Sequence, residues 1–68
     1  MFSILMLTGF VKIGSVDYIS NGYAAIEYVE NSMIRYIDIP LSDAECYPEE
    51  GGYVLFGHNK IVECFHKQ

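Results

Sequence analysis

The sequence predicts a single small all-β domain, with five short antiparallel strands bent strongly into a barrel. Three observations carry this. Short runs rich in Val, Ile, Tyr and Phe fill most of the chain, and these residues suit a pleated, half-buried surface. Turn formers punctuate the runs, as Asn21-Gly22, Asn31-Ser32, Pro40, Pro48, Gly51-Gly52 and Gly57-His58-Asn59. Aromatics make up 15% of the composition, from six Tyr and four Phe, which leans it further toward strands. With 68 residues, the chain 1–68 is read as one domain.

The elements follow in order. Residues 2–11 are apolar except for Ser3, Thr8 and Gly9. A membrane-spanning helix needs about 20 such residues. A secretory signal needs a basic start, and the first basic residue here is Lys12. The run is therefore read as part of the fold, either a short N-terminal helix or an extra strand. The first clear strand covers residues 10–19. Asn21-Gly22 is the strongest hairpin signal in the chain, because a type I′ turn needs positive φ at both central residues. A second strand covers 23–30, Asn31-Ser32 turns the chain, and a third covers 33–39. Pro40 ends it, having no N–H for a ladder.

Residues 41–52 differ. Ser42 with Glu45 three residues on predicts one helical turn, and Pro48-Glu49-Glu50-Gly51-Gly52 reads as an acidic, flexible connector. A fourth strand at 53–56 and a fifth at 60–66 flank the turn at Gly57-His58-Asn59. Five short strands in a meander predict a small SH3-like or OB-like barrel. The strands carry apolar residues on both faces: Ala24, Ile26 and Tyr28 oppose Tyr23, Ala25 and Val29, and Met33, Ile37 and Ile39 oppose Ile34 and Tyr36. An antiparallel sheet packed on one side should show one polar face, so a further surface is expected to be covered, most simply by a second subunit.

Charge and side-chain chemistry narrow the function. Four Lys and Arg against nine Asp and Glu leave a formal charge of −5, whereas a general electrostatic nucleic-acid binder should be basic. The carboxylates fall mostly singly, with Glu49-Glu50 the one adjacent pair, and no Ser–His–Asp or Cys–His arrangement can be read, so no catalytic role is expected. Cys46, His58, Cys64 and His66 contain the donors of a Cys₂His₂ zinc set but lack the short C-x₂₋₄-C hook of structural sites. No metal or other cofactor is therefore expected. Two cysteines do not make a disulfide framework, although a single bridge is compatible with them. The simpler reading is two reduced thiols, with Cys64 packed as a small hydrophobe. Reduced thiols and the lack of a targeting segment make the cytoplasm the expected location, with no membrane association.

The segment Gly52-Tyr53-Val54-Leu55-Phe56-Gly57-His58-Asn59-Lys60-Ile61-Val62 resembles the second signature of the Sm/LSm (Hfq-like) family, roughly G-x-v-f-I-R-G-N-N-I-v. Asp17-Tyr18-Ile19-Ser20-Asn21 looks like the D-x-x-x-N of its first. The family's Arg-Gly pair falls on Gly57 and His58, and its base-stacking aromatic falls on Ile19, one position from Tyr18. The resemblance implies an Sm-like barrel that assembles into a homo-oligomeric ring and binds single-stranded RNA near the pore. Tyr18, Asn21, His58, Asn59 and Lys60 are the residues it assigns to RNA. Asn would read base edges, Lys60 would meet a phosphate, and Tyr18 or His58 would stack. It also implies that the fourth strand pairs with the next subunit's fifth, placing Tyr53, Leu55, Ile61, Val62 and Cys64 at the interface. These two strands look like open edges, having one Lys between them and no Pro.

Each of these residues has a simpler local role: Asn21 as a turn residue, His58 as a solvated loop residue, and Lys60 as a guard of an edge strand. A ring of about five to seven subunits, at −5 each, would carry −25 to −35 and would repel RNA unless its basic groups were focused on one face. The competing reading is an acidic small barrel that binds other proteins, as an assembly or inhibitor module.

Overall fold

The computed structural model describes residues 11–66, so the helix or strand expected over residues 2–10 lies outside the described residues. All five expected strands are present, each within two residues of its expected ends: β1 (Lys12–Ser20), β2 (Tyr23–Glu30), β3 (Met33–Pro40), β4 (Tyr53–Gly57) and β5 (Lys60–Phe65). They form one antiparallel sheet in the order β3-β2-β1-β4-β5. Pro40 occupies the last position of β3, opposite Tyr23, a place open to Pro because β3 is an edge.

Three two-residue loops join the hairpins. Asn21 and Gly22 have φ of 54° and 80°, Asn31 and Ser32 have 54° and 64°, and His58 and Asn59 have 54° and 62°. These are the paired positive values of type I′ turns, whose twist matches that of the flanking strands. Asn tolerates this region because its short side chain bonds locally to the backbone.

The expected meander is corrected after β3. Residues 41–52 carry the chain across the sheet, so β4 lies beside β1 and not beside β3. Three hairpin-linked strands followed by a fourth that returns to the first make a Greek key. The expectation that the fourth strand is an open edge is corrected with it. β4 pairs with β1 from Lys12↔Phe56 to Ser15↔Tyr53, and with β5 from Tyr53↔Phe65 to Gly57↔Lys60. The two edges of the sheet are β3 and β5.

The connector fills the space between those edges. β3 and β5 touch without a shared ladder. Leu41, Ala44 and Cys46 pack against the core between them. The Glu45 N–H donates to the Ile61 carbonyl of β5 at 2.9 Å. In place of the expected helical turn there is a single turn, closed by Ala44 N–H to the Leu41 carbonyl at 3.1 Å. The reduced thiols are corrected as well: Cys46 and Cys64 form a disulfide, with Cα atoms 6.0 Å apart. The connector runs along β5 and brings the two residues into bridging range. Persistent disulfides belong mainly to oxidising compartments, so the thiol argument for a cytoplasmic location no longer stands.

The core is small: Val16, Ala24, Ile26, Ile39, Val54, Phe56 and Ile61. The Tyr28 ring meets Phe56 edge-on, with centroids 5.2 Å apart, the arrangement favoured by the aromatic quadrupole. At Gly14 the inner face closes tightly. A Cβ there would stand 2.5 Å from Ile26 Cγ2 and 2.9 Å from the Glu27 carbonyl oxygen.

Two predictions follow from this packing. Gly14→Ala overpacks a site walled partly by backbone and is expected to cost roughly 1–3 kcal/mol, read as a lower urea midpoint with an unchanged slope. An unchanged midpoint would refute the packing around Gly14. Reducing Cys46–Cys64, which closes a loop with a sequence separation of 18, is expected to cost about 3 kcal/mol. Thermal unfolding with and without reductant measures this, and equal midpoints would count against the bridge as a structural element.

Candidate functional site

Paired residues of an antiparallel ladder share a face, so the register defines the outer surface. One cross-strand row runs Tyr36–Glu27–Ser15–Tyr53–Phe65 and spans all five strands. Beside it lie the pairs Val29↔Ile34 and Ile13↔Leu55. The side chains on this face are exposed: Ile13 by 58%, Val29 by 68%, Ile34 by 59%, Tyr36 by 69% and Tyr53 by 54%. Single exposed apolar residues are ordinary, but a contiguous set marks an interaction surface. A groove of about 350 Å³ runs through it, lined by Ile13, Ser15, Glu27, Val29 and Tyr53 among others.

A second hollow of about 310 Å³ lies farther along the same face, against Tyr18, Ser20, Asn21, Tyr23, Ala25 and Asp38. Tyr18 reaches this face because β1 slips register between Val16 and Tyr18. The slip leaves Asp17 as the extra residue of a bulge. A third hollow, about 610 Å³ and open, lies at the connector and is lined by Ile19, Tyr47, Pro48, Glu49, Glu50 and His66. There a Glu50 carboxylate oxygen accepts from the Ile19 N–H at 2.8 Å. Glu49 stands 3.6 Å from His66 Nδ1.

The residues assigned to RNA divide into two groups. Tyr18 and Asn21 share the second hollow. His58, Asn59 and Lys60 lie at the opposite end of the sheet, since Gly57↔Lys60 closes the β4–β5 hairpin beyond Phe56, beside the start of β1. Asn21, His58 and Asn59 all serve as positive-φ turn residues. The residues assigned to an oligomer interface divide as well. Tyr53 and Leu55 lie on the outer face, with Val62 exposed at the slip in β5. Ile61 is fully buried in its own core, and Cys64, half-buried, is bound to Cys46. That bond also removes both sulfurs as thiolate ligands. Ile13, Val29, Ile34, Tyr36 and Phe65 are outer-face residues to which the sequence assigned no site role. Their signal was present as apolar residues on both faces of the strands.

The basic groups face carboxylates. Lys12 Nζ stands 3.6 Å from Glu30, Arg35 Nε 3.7 Å from Glu30, and Lys60 Nζ 2.7 Å from Glu45. The hydrogen bond and charge of Lys60 hold the Glu45 carboxyl below its ordinary range. The same contact, aided by Asp43, raises the Lys60 ammonium. A comparison with family models, curated proteins and solved structures finds no match to the chain.

The Glu45–Lys60 pair ties the connector to β5, and the sign of its pH dependence follows from the two shifts. The Glu45 contribution is present at neutral pH and is lost as pH falls through its lowered folded-state value. The Lys60 contribution is present at neutral pH and is lost as pH rises through its raised value. Lys60→Gln is expected to move the Glu45 titration upward into the ordinary carboxylate range, as followed by carboxyl-carbon NMR. An unmoved titration would exclude the contact.

Proposed function

We propose that this chain is a polypeptide-binding module whose working surface is the outer face of the sheet, and that the sheet is the wall of a small, partly open OB-like barrel. The barrel reading is supported by the Greek-key strand order and by the contact of β3 with β5 across the connector. The single observation that carries the binding reading is the exposed row Tyr36–Glu27–Ser15–Tyr53–Phe65 with its aliphatic neighbours. Aromatics and aliphatics concentrated on one surface supply the anchors that protein interfaces use. The electrostatics favour the same reading. Each of the three described cations stands within 4 Å of a carboxylate, in a chain of net charge −5, which leaves little to attract phosphate.

A second reading, the Sm-like ring that binds single-stranded RNA, is favoured by the hollow between Tyr18, Asn21 and Tyr23. Tyrosines beside a hollow make a platform on which unpaired bases stack. The ring contact through a free fourth strand has no free β4 edge to use, so self-association, where it occurs, runs through the outer face in this reading.

Fluorescence anisotropy with labelled oligo-U and oligo-A at two salt concentrations separates the two. The polypeptide-binding reading expects no titration at low salt, and light scattering is expected to place any assembly under control of Tyr53→Ser. RNA binding that weakens with salt and is lost in Tyr18→Ala would reverse the order of the two readings.

A further inference from the structure

The outer face carries three carboxylates as well as its apolar side chains. Glu27 lies in the row between Tyr36 and Ser15, Asp38 is opposite Ala25, and Glu63 is opposite Leu55. Lys60, opposite Gly57, is the one described cation on this side of the sheet, and it pairs with Glu45. Lys12 is opposite the buried Phe56, and Arg35 is opposite Tyr28, which packs on the core side. Among the described residues, Glu27, Asp38 and Glu63 have no ion-pair partner. The surface is therefore apolar and aromatic, with three carboxylates set into it that pair with no described cation.

Resting on the polypeptide-binding reading above, we propose that the occupant of the outer face is an extended segment of another protein in which pairs of Lys or Arg alternate with pairs of apolar residues, so that the side turned to the face presents both. The face crosses four strand spacings of about 4.8 Å, or about 19 Å, which an extended chain covers with about six residues. Apolar positions of such a segment lie on Ile13, Val29 and Tyr53 along the groove, and its basic positions meet Glu27, Asp38 and Glu63. Charge complementarity of this kind sets partner choice and raises the association rate. The same carboxylates argue against two other occupants. A second copy laid face to face brings like charges together, which disfavours it. Residues 1–10 of the chain itself carry no charged side chain and would cover three carboxylates without pairing them.

The test titrates the full chain with fluorescein-labelled ten-residue peptides at 50 and 300 mM salt. One peptide (Lys–Leu) repeats Lys-Lys-Leu-Leu, one (Lys–Ser) Lys-Lys-Ser-Ser, and one (Glu–Leu) Glu-Glu-Leu-Leu. The Lys–Leu peptide is expected to bind and to weaken with salt, with the other two at least about tenfold weaker. Glu27→Gln and Asp38→Asn are each expected to weaken Lys–Leu binding several-fold and to flatten its salt dependence, while Glu45→Gln, away from the face, leaves both unchanged. Equal binding of the Glu–Leu peptide, lost in Tyr53→Ser, overturns the basic partner but keeps the polypeptide-binding face. Failure of all three peptides overturns both. A dimer by light scattering that Tyr53→Ser dissolves overturns the proposal in favour of a second copy. A several-fold gain in Lys–Leu affinity in Leu5→Asp overturns it in favour of the chain's own N-terminal segment.

Discussion

β1 serves two neighbours, and the rest of the domain hangs from it. Its first residues, Lys12 to Ser15, pair with β4, and residues from Ser15 to Ser20 pair with β2. At the crossing, Val16 gives its N–H to the Gly52 carbonyl at 2.9 Å and accepts from the Gly51 N–H at 2.8 Å. The turn that delivers those two glycines is closed by Gly52 N–H to the Glu49 carbonyl at 2.8 Å. Gly51 sits at its third position with φ 87°, as a type II turn requires. Beyond the end of β4, the Glu50 carboxylate satisfies the Ile19 N–H. One strand thus anchors the hairpin that precedes the connector and the hairpin that follows it.

A sheet with so few buried side chains needs other restraints. The connector supplies them. It caps the β5 edge through Glu45, is bonded to β5 through Cys46–Cys64, and buries Pro48. This explains why a 68-residue chain with an acidic, Pro- and Gly-containing link holds the link in a defined path. The link replaces the ladder that β3 and β5 do not form.

The same economy shapes the outer face. Each strand of an open sheet has two faces, and only the inner one is filled by the core. The outer face keeps its aromatic and aliphatic residues in water, where they cost solubility unless something covers them. The acidic residues between them offset part of that cost.

Local chemistry was legible in the residues themselves. Asn21-Gly22, Asn31-Ser32 and His58-Asn59 declare their turns because positive φ is cheap only for a few residue types. The strands between them follow from β-branched and aromatic runs. Apolar residues on both faces of β2 and β3 announced an exposed apolar surface. The sequence by itself determined the five strands, their hairpins and the apolar character of that surface. Only the tertiary structure decided that β4 lies beside β1, that Cys46 meets Cys64, and that Ile61 points into the core while Tyr53 points out. These depend on where residues 41–52 carry the chain, on a bulge at Asp17 and on a slip in β5. Contacts between residues far apart in sequence leave no local pattern to read, because each side of the contact is compatible with many partners until the chain brings one of them into place.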